Sequence, residues 1–165
     1  MGELYSFADE WLVPYPIELA WRMVDDVAAW PSWWPDYRSV ELLSPDRPHG
    51  TGSRWRMRVR SNLPYTVDFA FVVLEHRAPN LVRTQVEGFF NGTIDWRLEE
   101  DGEGATRMVL NEETETRWLL INLAARIGGR RFLELNHAKA MGRGREGMLR
   151  ALARGYLPPD LDRSI

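Results

Sequence analysis

Three residues carry most of the chemistry this sequence offers: Glu112, His137 and Tyr65. Met108 and Leu110 put an apolar face on one strand, and the period of two then turns Glu112 and Thr114 to the same side. A carboxyl facing an apolar interior must be paired, hydrated or protonated. Glu112 therefore reads as a polar anchor or general acid/base, against the plainer alternatives of a bulged strand or a place at the wet end of the sheet. His137 lies one helical turn before Met141 and two before Gly144, beside Asn136. Imidazole is the natural proton carrier near neutral pH; the competing reading is a histidine satisfied within the structure. Tyr65 begins an alternating apolar run, and a buried phenol needs a hydrogen-bond partner, which a bound molecule could be.

The wall around these groups is aromatic. Trp55, Met57 and Val59 alternate with Arg54, Arg56, Arg58 and Arg60, the clearest half-buried strand in the chain. Phe69 and Phe71 follow Tyr65 at the same parity, and Trp96 alternates with Asp95 and Arg97. Trp55, Met57, Tyr65, Phe69, Phe71, Trp96 and Leu110 thus face inward, either as the lining of a pocket or as ordinary core. Trp33 and Trp34 line the mouth or plug the end. The arginine row reads as a solvated sheet face balanced by Asp68, Glu87 and Glu99, with an acidic partner as the alternative.

Other chemistries lack their residues. The chain has no cysteine, hence no disulfide, thiolate nucleophile or Cys-based zinc site, which fits a reducing cytoplasm. It has no HExxH and no histidine pair at helical spacing, so no metal is expected. No serine sits in a nucleophile elbow, and no glycine-rich loop opens a helix after a strand. Gly142-Arg143-Gly144-Arg145-Glu146-Gly147 falls inside a helix, where glycine suits a close approach to the sheet rather than phosphate. His49 and His76 fall in expected turns.

A net charge of −3 leaves no electrostatic footprint for nucleic acid or anionic lipid. No apolar run approaches a membrane span, so no membrane insertion is expected. The first residues lack the basic and apolar regions of a secretory signal, and the Met1-Gly2 start reads as a chance match to a myristoylation pattern. Twenty arginines against one lysine read as GC-rich coding and a bacterial source.

The elements that must position these residues follow from period and punctuation. Phe7 to Val13 alternates, and Pro14 and Pro16 stop it. Ile17, Ala20, Trp21, Val24 and Val27 recur at helical spacing, and Trp30-Pro31-Ser32-Trp33-Trp34-Pro35 leaves room for one further turn. From residue 38 to about Thr116 the period is two, with turns near 44, 61–64, 78–80 and 101–104 and a type I′ hairpin signal at Asn91-Gly92. Residues 118 to 154 return to helical spacing, with a break expected at Gly128-Gly129, and Pro158-Pro159 ends the order. One strand, two short helices, six strands and one long helix predict an α+β fold: a seven-stranded curved antiparallel sheet wrapped around the C-terminal helix. Such a sheet is larger than one helix can fill, and the leftover volume predicts a pocket.

This order resembles the helix-grip fold of the START-like (SRPBCC) superfamily, and in particular its bacterial polyketide cyclase/dehydrase-like members. Trp21 with Asp26, Trp30-Pro31 and Trp34 resembles the family's opening helix and tryptophan-proline turn. Gly92-x-x-x-Trp96-x-Leu98 and Gly104-Ala105-Thr106-Arg107 resemble its late hairpin. Phe132-x-x-x-Asn136-His137-x-x-x-Met141-x-x-Gly144-x-x-Gly147-Met148-Leu149 resembles its C-terminal helix. The resemblance covers nearly the whole chain, giving one START-like domain over residues 1–157 and a tail over 158–165. It implies a cavity between sheet and helix but no single activity, since the superfamily holds binders, lipid carriers and cyclases.

The expected ligand contacts are Trp34, Trp55, Met57, Tyr65, Phe69, Phe71, Trp96, Leu110, Glu112, Asn136, His137 and Met141. The expected function is binding of a hydrophobic lipid, polyketide or aromatic metabolite by a monomer or homodimer, with no cofactor. The alternatives are a cyclase/dehydrase in which Glu112, His137 and Tyr65 move protons, and an interaction domain with a filled interior.

Overall fold

A computed structural model of the chain describes residues 3–60, 65–116 and 129–155. Strand β1 (Glu3–Val13) ends where Pro14 and Pro16 withdraw their N–H groups, and α1 (Ile17–Asp25) starts directly after Pro16. Ile17, Ala20, Trp21 and Val24 form its buried stripe. A 3-10 turn (Val27–Ala29) leads into the single turn α2 (Trp30–Trp33), both of whose tryptophans are buried. Then come β2 (Tyr37–Leu42), β3 (Arg54–Val59), β4 (Val67–Arg77), β5 (Leu81–Gly88), β6 (Asn91–Glu100), β7 (Thr106–Thr116) and the long helix α3 (Arg130–Ala153).

The strands form one seven-stranded sheet in the order β1-β7-β6-β5-β4-β3-β2, each neighbour antiparallel. The sequence meander thus runs from β2 to β7, and β1 joins by covering the open edge of β7. The sheet is curved and α3 lies in its grip, the expected α+β helix-grip architecture. The arginines of β3 face solvent as expected, Arg56 bonding Glu41 at 3.1 Å and Arg58 bonding Asp68 at 3.0 Å. Among the described residues, no helix is long and apolar enough to cross a membrane.

Three expectations about the elements are corrected. The β5–β6 hairpin turns at Phe89 and Phe90, while Asn91 and Gly92 already belong to β6. Asn91 still shapes the turn, its amide donating to the Gly88 carbonyl at 3.3 Å. Gly92 serves a close approach: a Cβ there would overlap the backbone carbonyl of Glu113. Two of the three α3 glycines approach the α2 turn rather than the sheet, and Gly142 faces open space. A Cβ at Gly144 would run into the Trp34 ring, and one at Gly147 into the Trp33 carbonyl. His76 is no turn residue; it lies in β4, on the inner face. His49, in a loop as expected, also lines the interior. The expected turn at 61–64, the helical start at 118–128 and the stop at 158–159 fall outside the described residues.

Two bulges interrupt the sheet. The β2–β3 register shifts between Tyr37 and Ser39, and the β4–β5 register between Val73 and Glu75. Each reverses the parity of the residues beyond it.

Candidate functional site

Between sheet and helix lies a cavity of about 240 Å³ with a mainly apolar lining. Of the residues expected to face it, Trp34, Trp55, Tyr65, Phe69, Phe71, Trp96, Leu110, Glu112, Asn136, His137 and Met141 all do. Met57 does not. It points inward as alternation requires, but the core packs over it completely, leaving it 0% exposed with no free space beside it. Alternation names a face, not what stands above that face. Trp33 plugs the end, stacked on Trp34 with centroids 5.5 Å apart.

The aromatic floor is fixed from several sides. Trp34 donates its indole N–H to the Ala140 carbonyl of α3 at 3.2 Å, and Tyr37 meets both Trp30 and Trp34 edge-on at 5.1 Å. Below them Asp36, 3% exposed, takes a bidentate pair of hydrogen bonds from Arg143, the Nε bond being 2.9 Å long. That fork ties α3 to the start of β2.

The polar cluster is built from three elements. β7 brings Glu112 and Thr114 inward, as the parity of Met108 and Leu110 required. β1 pairs with β7 so that Phe7 faces Glu112 and Asp9 faces Leu110. From above, α3 lowers His137 between them. Its Nε2 lies 2.7 Å from Asp9 Oδ2, its Nδ1 3.9 Å from Glu112 Oε2, and its ring stacks on Phe7 at 4.1 Å. The shorter contact decides the tautomer: Nε2–H donates to Asp9, and Nδ1 is left facing Glu112. The Thr114 hydroxyl donates to Glu112 Oε1 at 3.0 Å.

Burial is the largest influence on the Glu112 carboxyl and pushes its pKa up, with the Asp9 charge adding to it; His137 and the Thr114 hydroxyl oppose without prevailing. For His137 burial works against the charged form, but the Asp9 hydrogen bond and the Glu112 and Asp9 charges outweigh it, and its pKa is raised. Tyr37 is pushed up by burial, then by the Glu112 and Asp36 charges, so its phenol remains a donor. Burial also raises Tyr65. Asn136 Oδ1 is buried in the wall with no hydrogen-bond partner among the described residues. The cluster can therefore hold a carboxyl group, an imidazole and an amide against one end of an apolar molecule. Among the described residues, no group of histidine and carboxylate side chains could hold a metal ion.

Asp9 and Tyr37 were not singled out in the sequence. Asp9 had a signal, since it shares parity with Phe7, Trp11 and Val13. Tyr37 had none, because the bulge beyond it breaks its parity with Val40 and Leu42.

Comparison with known proteins agrees with this geometry. The family model described as polyketide cyclase/dehydrase and lipid transport matches residues 6–155. No curated protein matches the chain. A crystal structure of a Thermus thermophilus protein superposes with a TM-score of 0.72 at 21% identity, covering 89% of this chain and 99% of that one. The Zhui aromatase/cyclase of a Streptomyces species gives 0.73 at 16% identity, covering 92% and 95%. A START superfamily protein from Mycobacterium smegmatis gives 0.64 at 18%, covering 86% and 97%. At these identities the structures share the fold alone. The family match spans nearly the entire chain, and the protein belongs to the polyketide cyclase/dehydrase and lipid transport family.

Proposed function

We propose that this protein binds a small, mainly apolar molecule in the sheet–helix cavity and orients it through His137, which Asp9 holds in place, together with Glu112 and Asn136. The observation that carries this reading is a dense polar cluster, His137 with Glu112, Thr114 and Asn136, set into a mainly apolar wall. Apolar burial against Trp34, Trp55, Phe71 and Trp96 supplies affinity, while a few convergent polar groups fix orientation. The presence of a cavity argues against an interaction domain with a filled interior.

The test is tryptophan fluorescence, since four tryptophans line or floor the cavity: Trp30, Trp34, Trp55 and Trp96. Titration with hydroxylated polycyclic aromatics and with medium-chain fatty acids should give saturable quenching for at least one class. Glu112→Gln should weaken the responding class about tenfold, the effect of one hydrogen bond to a buried polar group. Flat titrations across both classes would remove the reading.

A second reading rests on one specific feature, an imidazole flanked by two carboxyl groups. His137 Nδ1 can take a proton from carbon beside a ligand carbonyl, with Asp9 stabilising the imidazolium that forms. Glu112, whose hold on a proton burial strengthens, can pass that proton to a hydroxyl that leaves as water. Those are the transfers a cyclase/dehydrase needs, and the polyketide cyclase named among the relatives motivates the trial substrate, a poly-β-ketone thioester analogue. Turnover that collapses in His137→Ala while binding persists supports the enzyme; binding without turnover leaves the carrier.

A further inference from the structure

We infer that the cavity has a second polar subsite, built on His76 and Asp25, and that its ligand is two-headed: apolar in the middle, with a hydroxyl or comparable donor at each end. This rests on the binding reading above and goes beyond it by naming the class of ligand.

His76 and Asp25 both line the cavity, as do His49 and Ser53 beside them. His76 Nε2 lies 2.7 Å from Asp25 Oδ1, and Trp21 meets the imidazole in a T-shaped contact with centroids 5.2 Å apart. The Nε2–H is therefore committed to Asp25 and the ring is held between α1 and β4. No described residue hydrogen-bonds the other nitrogen, Nδ1. A fixed imidazole with one committed N–H presents a bare acceptor on its far side, and a hydroxyl donor satisfies it.

The bulge between Val73 and Glu75 makes this possible. It sets His76 opposite Val82, whose side chain is part of the cavity wall, where strict alternation from Phe71 and Val73 would have turned His76 to solvent. Bulges of this kind re-aim side chains beside binding sites.

The register also says how far apart the two subsites are. His76 pairs with Val82, Val82 with Trp96, Trp96 with Leu110, and Leu110 with Asp9. One straight row across the sheet therefore joins His76 to Asp9, the aspartate that holds His137, with Val82, Trp96 and Leu110 between them. Four strand spacings make about 19 Å of arc. Curvature shortens the chord, and side chains reach inward from both ends, so a rigid two-ring skeleton suits what remains. An apolar middle matches the intervening row, and a donor at each end matches His76 at one side and Asn136 Oδ1 and Glu112 at the other.

The probes are the para,para′-dihydroxy forms of biphenyl and stilbene, each measured against its mono-hydroxy parent by tryptophan quenching. The expected result is about tenfold tighter binding of at least one dihydroxy form over its parent, the effect of one added hydrogen bond to a partly buried group. In His76→Gln and, separately, in the near-isosteric Asp25→Asn, that ratio should fall toward one. Two variants guard against a folding defect in either, and thermal melts check both. A ratio of about one in the parent protein, with the mono-hydroxy probes still binding, overturns the second subsite while the binding reading stands. A ratio that persists in both variants also overturns it and reduces the His76–Asp25 pair to a tie between α1 and the sheet. Binding of neither probe by the parent protein overturns the two-headed ligand, while the binding reading stands or falls on the polycyclic and fatty-acid titrations.

Discussion

The two cavity histidines His137 and His76 differ in how they are held. Each meets an aspartate at 2.7 Å through Nε2. His137, however, hangs from α3, is stacked on Phe7, and looks at a second carboxyl, Glu112. His76 grows from the sheet itself and, among the described residues, pairs with no second carboxylate. On the readings proposed above, one imidazole moves a proton and the other only accepts one hydrogen bond. Their supports differ correspondingly: the place of His137 depends on how α3 docks, and that of His76 on the register of β4.

The docking of α3 is therefore the strongest lever for separating them. Gly147→Ala should have the largest effect, because its Cβ would occupy the space of the Trp33 carbonyl, and backbone cannot move aside cheaply. We expect a loss of about 3 kcal/mol, the upper range for overpacking, read as a fall in the denaturant midpoint. The chain has three histidines, so their ring-proton NMR signals resolve. The His137 signal should shift and the His76 signal should not. Equal shifts of both would show that α3 supports the whole cavity rather than one end.

Asp36→Asn tests the same asymmetry more gently. It leaves the Arg143 guanidinium with half its fork unmatched. A fully buried pair would lose about 3–5 kcal/mol on such a change, but Arg143 keeps 31% of its side chain exposed, so about 2 kcal/mol is expected. Again His137 should respond in the NMR spectrum and His76 should not.

The next test uses pH. Glu112 has its folded pKa raised above the ordinary 4.5, and His137 has its own raised above 6.5. In both cases the folded chain holds a proton that the unfolded chain has released, so stability falls as pH rises through each window. The contribution is complete below each ordinary value and lost above each folded one. Melting temperature should thus decline as pH rises above 4.5 and again above 6.5, and the first decline should be shallower in Glu112→Gln, whose stability at acid pH should stay within about 1 kcal/mol of the parent. A decline unchanged by the substitution would show that the raised carboxyl is not the source.

The same contrast explains what the sequence made legible. Elements, strand order and the parity of Glu112 could be read because Met108 and Leu110 set a face and no bulge interrupts β7 beyond them. His137 could be read because helical spacing from Met141 points back to it. Asp9 could have been read by the logic that found Glu112. Tyr37 and His76 could not, because each lies across a bulge from the residues that would have set its parity. A bulge depends on pairing with the neighbouring strand, and the period of one strand carries no trace of it. Met57 shows the complementary limit: its parity was right, yet whether space adjoins it depends on packing from elements distant in sequence.

The smallest effect is expected from a change that looks severe. Deleting Leu74 removes a residue from the middle of β4. Leu74 is 48% exposed, and the ladder passes from Val73–Thr84 directly to Glu75–Arg83 and His76–Val82 without it. Deletion should therefore close the bulge and restore strict alternation, with Val73 inward, Glu75 outward and His76 still inward. We expect a change of under about 1 kcal/mol in a denaturant melt and an unchanged preference for dihydroxy probes. Loss of that preference in a stably folded deletion variant would mean that the bulge sets the aim of the imidazole as well as its parity. The second subsite would then depend on local twist at Leu74, whereas the His137 cluster, on the unbulged β7, would be untouched.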